Sequence, residues 1–170
     1  EFRRVLFRSE YLRESIFRSP TLPWHKTPEW ERYLSLYDAE AHKLYGFKPE
    51  CLSKIVKTSY GPTKTYVCGK DNSDSDDDDT PRDPVVFLHG AGSNSLMYGD
   101  WLVPSIVASG KKYAIILDFV CDCGRSSPLD GDPNNCPQNE ESLAGWVKEV
   151  LVDGIGINPN KHHRVSLVGY

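Results

Sequence analysis

Three stretches of the chain carry apolar residues side by side rather than in alternation: VVFLHG (residues 85–90), KKYAIILDF (111–119) and HRVSLVGY (163–170). A strand with one wet face alternates, whereas a strand covered on both faces does not. The three therefore read as strands of a mostly parallel sheet flanked by helices. The covering helices are written between them. Pro104 suits the first turn of a helix running to Ser109, with Gly110 at its end. Leu143, Trp146, Val147, Val150 and Leu151 recur at three- and four-residue steps and make the apolar face of another. Asn139 or Ser142 can cap that helix, Glu140 and Glu141 suit its positive end, and Gly154 closes it.

Upstream the pattern is different. In TPEWERYLSLYDAEAHKLYG (27–46), the residues Trp30, Tyr33, Leu34, Tyr37, Ala41 and Leu44 form a helical stripe that reads as a packing face. Thr27 is placed to cap it, Pro28 opens the first turn, and Gly46 ends the pattern. CLSKIVKTSYGPTKTYVCG (51–69) reads as a β-hairpin, with strands over 52–58 and 63–68 and the turn at Tyr60-Gly61-Pro62. Hairpin, then β-loop-α, then β-loop-α-β makes an open α/β sheet, one domain over 27–170. Residues 1–26 read as a non-native or disordered leader. An organelle-targeting helix is the alternative there, and Glu1, Glu10 and Glu14 count against it.

Charge changes this picture in one place. The net charge of −4 excludes the large positive field of a general nucleic-acid binder. Six Asp lie between Asp71 and Asp79, so 70–84 reads as a self-repelling, flexible acidic loop. It lacks the sixth-position Gly and closing Glu of an EF-hand. No apolar run approaches the roughly 20 residues that a membrane-crossing helix needs. The five cysteines, Cys51, Cys68, Cys121, Cys123 and Cys136, are odd in number and irregularly spaced. That reads as reduced thiols in a cytoplasmic protein rather than a disulfide framework. Cys121-x-Cys123 could be half of a soft-metal site, but Cys136 alone does not supply the second pair, so no metal is expected.

Candidate chemistry sits where the buried strands end, the place where open α/β sheets bind ligands. HGAGSNS (89–95) is a glycine-rich turn whose backbone amides can converge on a developing negative charge. The phosphate-cradling patterns are absent from it. In DFVCDCGRSSP (118–128), Asp118 reads as a structural anchor at a strand end, and Asp122 as a residue of the pocket mouth. The last strand ends in LVGY, where Gly169 opens a possible G-x-S-x-G elbow whose nucleophile would stand one residue past Tyr170.

HGAG after an apolar strand, a strand ending in Asp118, an amphipathic helix holding Trp146 and then RVSLVGY together resemble the α/β-hydrolase superfamily. Within it they look most like the carboxylesterase-like hydrolases of bacterial type, clearly over 84–170 and more weakly over 33–69. The resemblance implies the N-terminal part of an α/β-hydrolase domain, truncated at the nucleophile elbow of a serine hydrolase. It implies that Gly90 and Ala91 form the oxyanion turn, with the Ala91 N–H as donor, and that Tyr170 precedes the missing nucleophile. His89 then supports the turn, while His162 and His163 come too early in the chain to be the triad base. Gly92, where epoxide hydrolases and dehalogenases often carry Pro, favours the serine esterase branch. Such an enzyme needs no cofactor and acts on a small ester or acyl substrate. Its nucleophile, triad acid and triad base would all lie downstream, so the chain as written is expected to be inactive. Its last strand should also have an open edge, an aggregation liability. Two alternatives remain: a non-catalytic α/β-hydrolase-like binding or signalling module, and a short interaction protein whose acidic loop recruits basic partners.

Overall fold

The computed structural model describes residues 28–46, 51–70, 82–90, 92–158 and 164–169. The expected leader, the Thr27 cap, most of the acidic loop, Ala91, His162, His163 and Tyr170 lie outside them.

Helix α1 (Pro28–Ala41) runs on into a wider π-helical turn, His42–Gly46. Of its stripe, Tyr37, Ala41 and Leu44 are buried, joined by Tyr45. The hairpin follows as β1 (Cys51–Thr58) and β2 (Gly61–Cys68), paired from Thr58↔Gly61 to Cys51↔Cys68. The three apolar runs form β3 (Asp83–Leu88), β4 (Lys112–Leu117) and β5 (Ser166–Gly169). Helix α2 (Leu102–Ala108) joins β3 to β4. Helix α3 (Glu140–Lys148), extended by a π-helical turn over Glu149–Gly154, joins β4 to β5. Both expected caps of α3 are used at once: Asn139 accepts from the Ser142 amide and Ser142 reaches back to the Asn139 amide, a closed capping box.

The five strands lie in the order β1-β2-β4-β3-β5. β4, β3 and β5 are mutually parallel, and the hairpin joins them antiparallel through β2. Unbroken apolar runs are explained by two cores, one on each face. Val86, Ile115 and Leu117 point to one face and pack with Trp146, Val147 and Val150 of the α3 segment. Val85, Phe87, Ala114 and Ile116 point to the other, against Tyr37, Tyr45, Tyr66 and Val103. Each fully buried Val, Ile, Leu or Phe contributes roughly 1.5–3 kcal/mol, so the central strands β3 and β4 anchor the sheet.

The expectation of reduced thiols is corrected. Cys51 is bridged to Cys68 and Cys121 to Cys136, leaving Cys123 as the free thiol. The first pair are cross-strand partners in the hairpin register. The second joins the loop after β4 to the segment entering α3. Spacing along the chain carries no record of either meeting, because both are made by the folded sheet and its loops. The half-site reading of Cys121-x-Cys123 falls with the second bridge.

Candidate active site

The carboxyl ends of β3, β4 and β5 share one edge of the sheet. From β3 the chain crosses to β4 over one face by way of α2, whose Val103, Ile106 and Val107 pack there. From β4 it crosses over the opposite face by way of α3 to reach β5, on the far side of β3. This reversal makes β3 a topological switch point, whose carboxyl end is where α/β sheets place their ligands.

The turn after β3 is held from several sides. His89 Nε2 accepts the Phe119 amide at 2.8 Å, and its Nδ1 lies 3.0 Å from the Gly90 carbonyl oxygen. An amide can only donate, so Nε2 is the acceptor nitrogen. This assigns the ring proton to Nδ1, which donates to Gly90. The Ser93 amide donates to the same Gly90 oxygen at 3.2 Å. Gly92 has φ +75°, a conformation that L side chains rarely adopt. Its amide donates to both carboxylate oxygens of Asp122, at 3.0 and 2.8 Å. Asp122, read from the sequence as a residue of the pocket mouth, is buried beneath the turn and also accepts the amide of Cys123 at 2.8 Å. Burial, and then the Asp122 charge, push the Cys123 thiol up from its ordinary range.

Asp118 is the anchor the sequence suggested. Fully buried at the end of β4, it accepts the Ser95 amide at 2.8 Å, the Arg125 amide at 3.0 Å and the Tyr37 hydroxyl at 2.6 Å. The single Tyr37 proton goes to Asp118, so the Tyr66 and Ser95 hydroxyls, 3.1 and 2.9 Å away, donate to the Tyr37 oxygen. Burial raises the Tyr37 phenol far above its ordinary range, and the Asp118 charge raises it further. Tyr45 donates to the Ser95 carbonyl at 2.8 Å, and Asn94 donates to the Tyr33 hydroxyl at 2.9 Å. The aromatic stripe of α1 is therefore more than a packing face, since its hydroxyls hold the loop that follows the turn. Periodicity reports which side of a helix is buried and nothing about where a phenol ends, so the sequence offered no signal for this role.

Of the expected site residues, Gly90 lies half-buried just past the carboxyl end of β3; Ala91 and Tyr170 lie outside the described residues. The register pairs Leu88 with Gly169, so the β3 turn and the end of β5 leave the sheet side by side. Among the described residues, no three or more His, Cys, Asp or Glu cluster as a metal site, and no helix is long and apolar enough to cross a membrane.

A parallel sheet wound in both directions from β3, with an antiparallel hairpin beside β4 and a held glycine turn after β3, is part of the α/β-hydrolase fold. No protein-family model matches the chain, and no curated protein matches it. Solved structures do. The chain is similar to naproxen esterase (carboxylesterase NP) from Bacillus subtilis, with 23% identity and a TM-score of 0.60, over 85% of this chain and 42% of that one. It is also similar to carboxylesterase CesB from Bacillus subtilis, with 20% identity and a TM-score of 0.60, over 84% of this chain and 41% of that one. These neighbours are esterases, and this chain spans about two-fifths of their length.

Proposed function

We propose that this chain is the N-terminal portion of a serine hydrolase that cleaves small carboxylic esters by acyl transfer, inactive until the remaining segments are joined to it. The observation that carries the reading is the pairing of Leu88 with Gly169, which brings the ends of β3 and β5 side by side at the carboxyl edge of the sheet. In the intact enzyme a serine immediately after Tyr170 attacks the ester carbonyl. A downstream histidine takes its proton and returns it to the leaving alcohol, and a downstream carboxylate orients that histidine. This chain contributes the oxyanion donor on the β3 side, the Ala91 N–H. Supporting this, the Gly90 carbonyl is held by the His89 ring and the Ser93 amide. The neighbouring Gly92 amide is engaged by Asp122 and the Ser93 amide by Gly90, which supports a turn held in one conformation. The chemistry requires no cofactor. Two disulfides fit an oxidising compartment better than the cytoplasm expected from the cysteine count.

The coding sequence past Tyr170 provides the first test, with S-x-G expected. The protein extended through that region should hydrolyse p-nitrophenyl acetate and lose that activity when the new serine is replaced by Ala. Any other residue at the elbow, or hydrolysis indifferent to the serine, would falsify the reading; Gly or Asn there would select a non-catalytic binding module.

A further inference from the structure

We infer that Asp122 is a positioning residue for the oxyanion turn, acting through the amide of Gly92. The consequence for catalysis rests on the serine-hydrolase reading, while the contact stands on geometry alone. Gly92 adopts φ +75° in open space, since a Cβ built on it would meet no atom within 4 Å. The contact seen to hold it is made through its amide. The bond that does so runs to Asp122, whose two oxygens lie 3.0 and 2.8 Å from the Gly92 nitrogen. Amide bonds to a carboxylate are roughly twice as strong as bonds between neutral groups.

The other end of this clamp is fixed as well. Asp122 is 5% exposed and takes the Cys123 amide on the oxygen it shares with Gly92. Its neighbour Cys121 is tied to Cys136, and the Asp122 amide donates to the Phe119 carbonyl at 3.2 Å. The loop after β4 is thus braced on both sides of Asp122, which reaches across to the turn after β3 alongside the Phe119 amide that His89 accepts. The Gly92 amide is thereby a second anchor of the turn, beside the Gly90 carbonyl that His89 and Ser93 hold. An oxyanion donor has to be preorganised from both sides to act without reorganisation, and misplacement by about 1 Å can cost 10²-fold in rate.

The test uses the full-length enzyme that contains this segment, with p-nitrophenyl acetate as substrate and with Asp122→Ala and Asp122→Asn as variants. Asp122→Ala is expected to lower kcat by about 10- to 100-fold with KM within about twofold, as befits a loss felt only in the transition state. Asp122→Asn, which keeps one acceptor oxygen, should fall between it and the wild type and guards against a misfolded alanine variant. Amide hydrogen exchange at Gly92 should quicken in the same order. Wild-type kcat in both variants, or equal losses in kcat, KM and melting temperature, overturns the inference while leaving the enzyme's activity established. A wild-type enzyme inert towards esters overturns the serine-hydrolase reading and the catalytic role of Asp122 with it.

Discussion

Gly124 stands so close to Asp118 that a Cβ on it would lie 2.6 Å from both Cγ and Oδ2 of the carboxylate. Its φ of +151° adds a conformation unsuited to side chains. Gly124→Ala should therefore displace the carboxylate that receives the Ser95, Arg125 and Tyr37 donors. A loss of about 2–4 kcal/mol is expected in urea unfolding. Gly131→Ala is the control, because φ +71° strains it but a Cβ there meets nothing. It should cost only about 1 kcal/mol.

Tyr37 ties helix α1 to the strand end and to the loop after the turn. Tyr37→Phe deprives Asp118 of one donor and leaves the Tyr66 and Ser95 hydroxyls without the oxygen to which they donate. Unsatisfied buried polar groups cost roughly 1–3 kcal/mol, and denaturant unfolding should show a loss in that range with an unchanged m-value. A loss under about 0.3 kcal/mol would mean the network is not formed in solution.

The cysteine pairing can be counted directly. Alkylation of the unfolded, unreduced chain should label a single residue, Cys123, and all five cysteines after reduction. Each bridge closes a short loop, with separations of 17 and 15 residues. Cutting one by Cys136→Ser should cost up to about 3 kcal/mol by loop-entropy reasoning. Mass spectrometry showing more than one label before reduction would overturn the pairing.

Alkaline pH should unfold the chain cooperatively. Burial pushes the Tyr113 phenol up to about 12 from an ordinary 10.0, and Asp83 adds to the shift. Tyr37, Tyr45 and Tyr66 are raised by burial as well. Above pH 10 the unfolded chain releases phenol protons that the folded chain keeps, so unfolding becomes progressively easier. The stabilisation is complete below pH 10 and falls as pH rises through the folded-state values. Phenolate absorbance should rise in step with loss of circular dichroism. Smooth ionisation of all nine tyrosines before any unfolding would contradict the burial of these four.

The parts of this molecule written in the sequence are those that depend on one element at a time. The runs at 85–90 and 111–119 read as strands covered on both faces, and they hold β3 and β4. Trp146 and its neighbours could only be the inner side of a helix, and Asp118 stood where a strand must end. What was hidden depends on two segments meeting. Cys51 and Cys68 find each other through strand register, Asp122 finds Gly92 only when the loops after β3 and β4 meet, and the phenol of Tyr37 reaches a carboxylate far along the chain. Residue type and spacing carry no trace of such encounters.

His89 illustrates what that convergence does to reactivity. One ring nitrogen receives a backbone amide and the other gives its proton to a neighbouring carbonyl, so neither lone pair nor proton is left over for chemistry. A histidine-directed acylating reagent should pass this imidazole by, and any histidine it silences in an active esterase must belong to another part of the polypeptide.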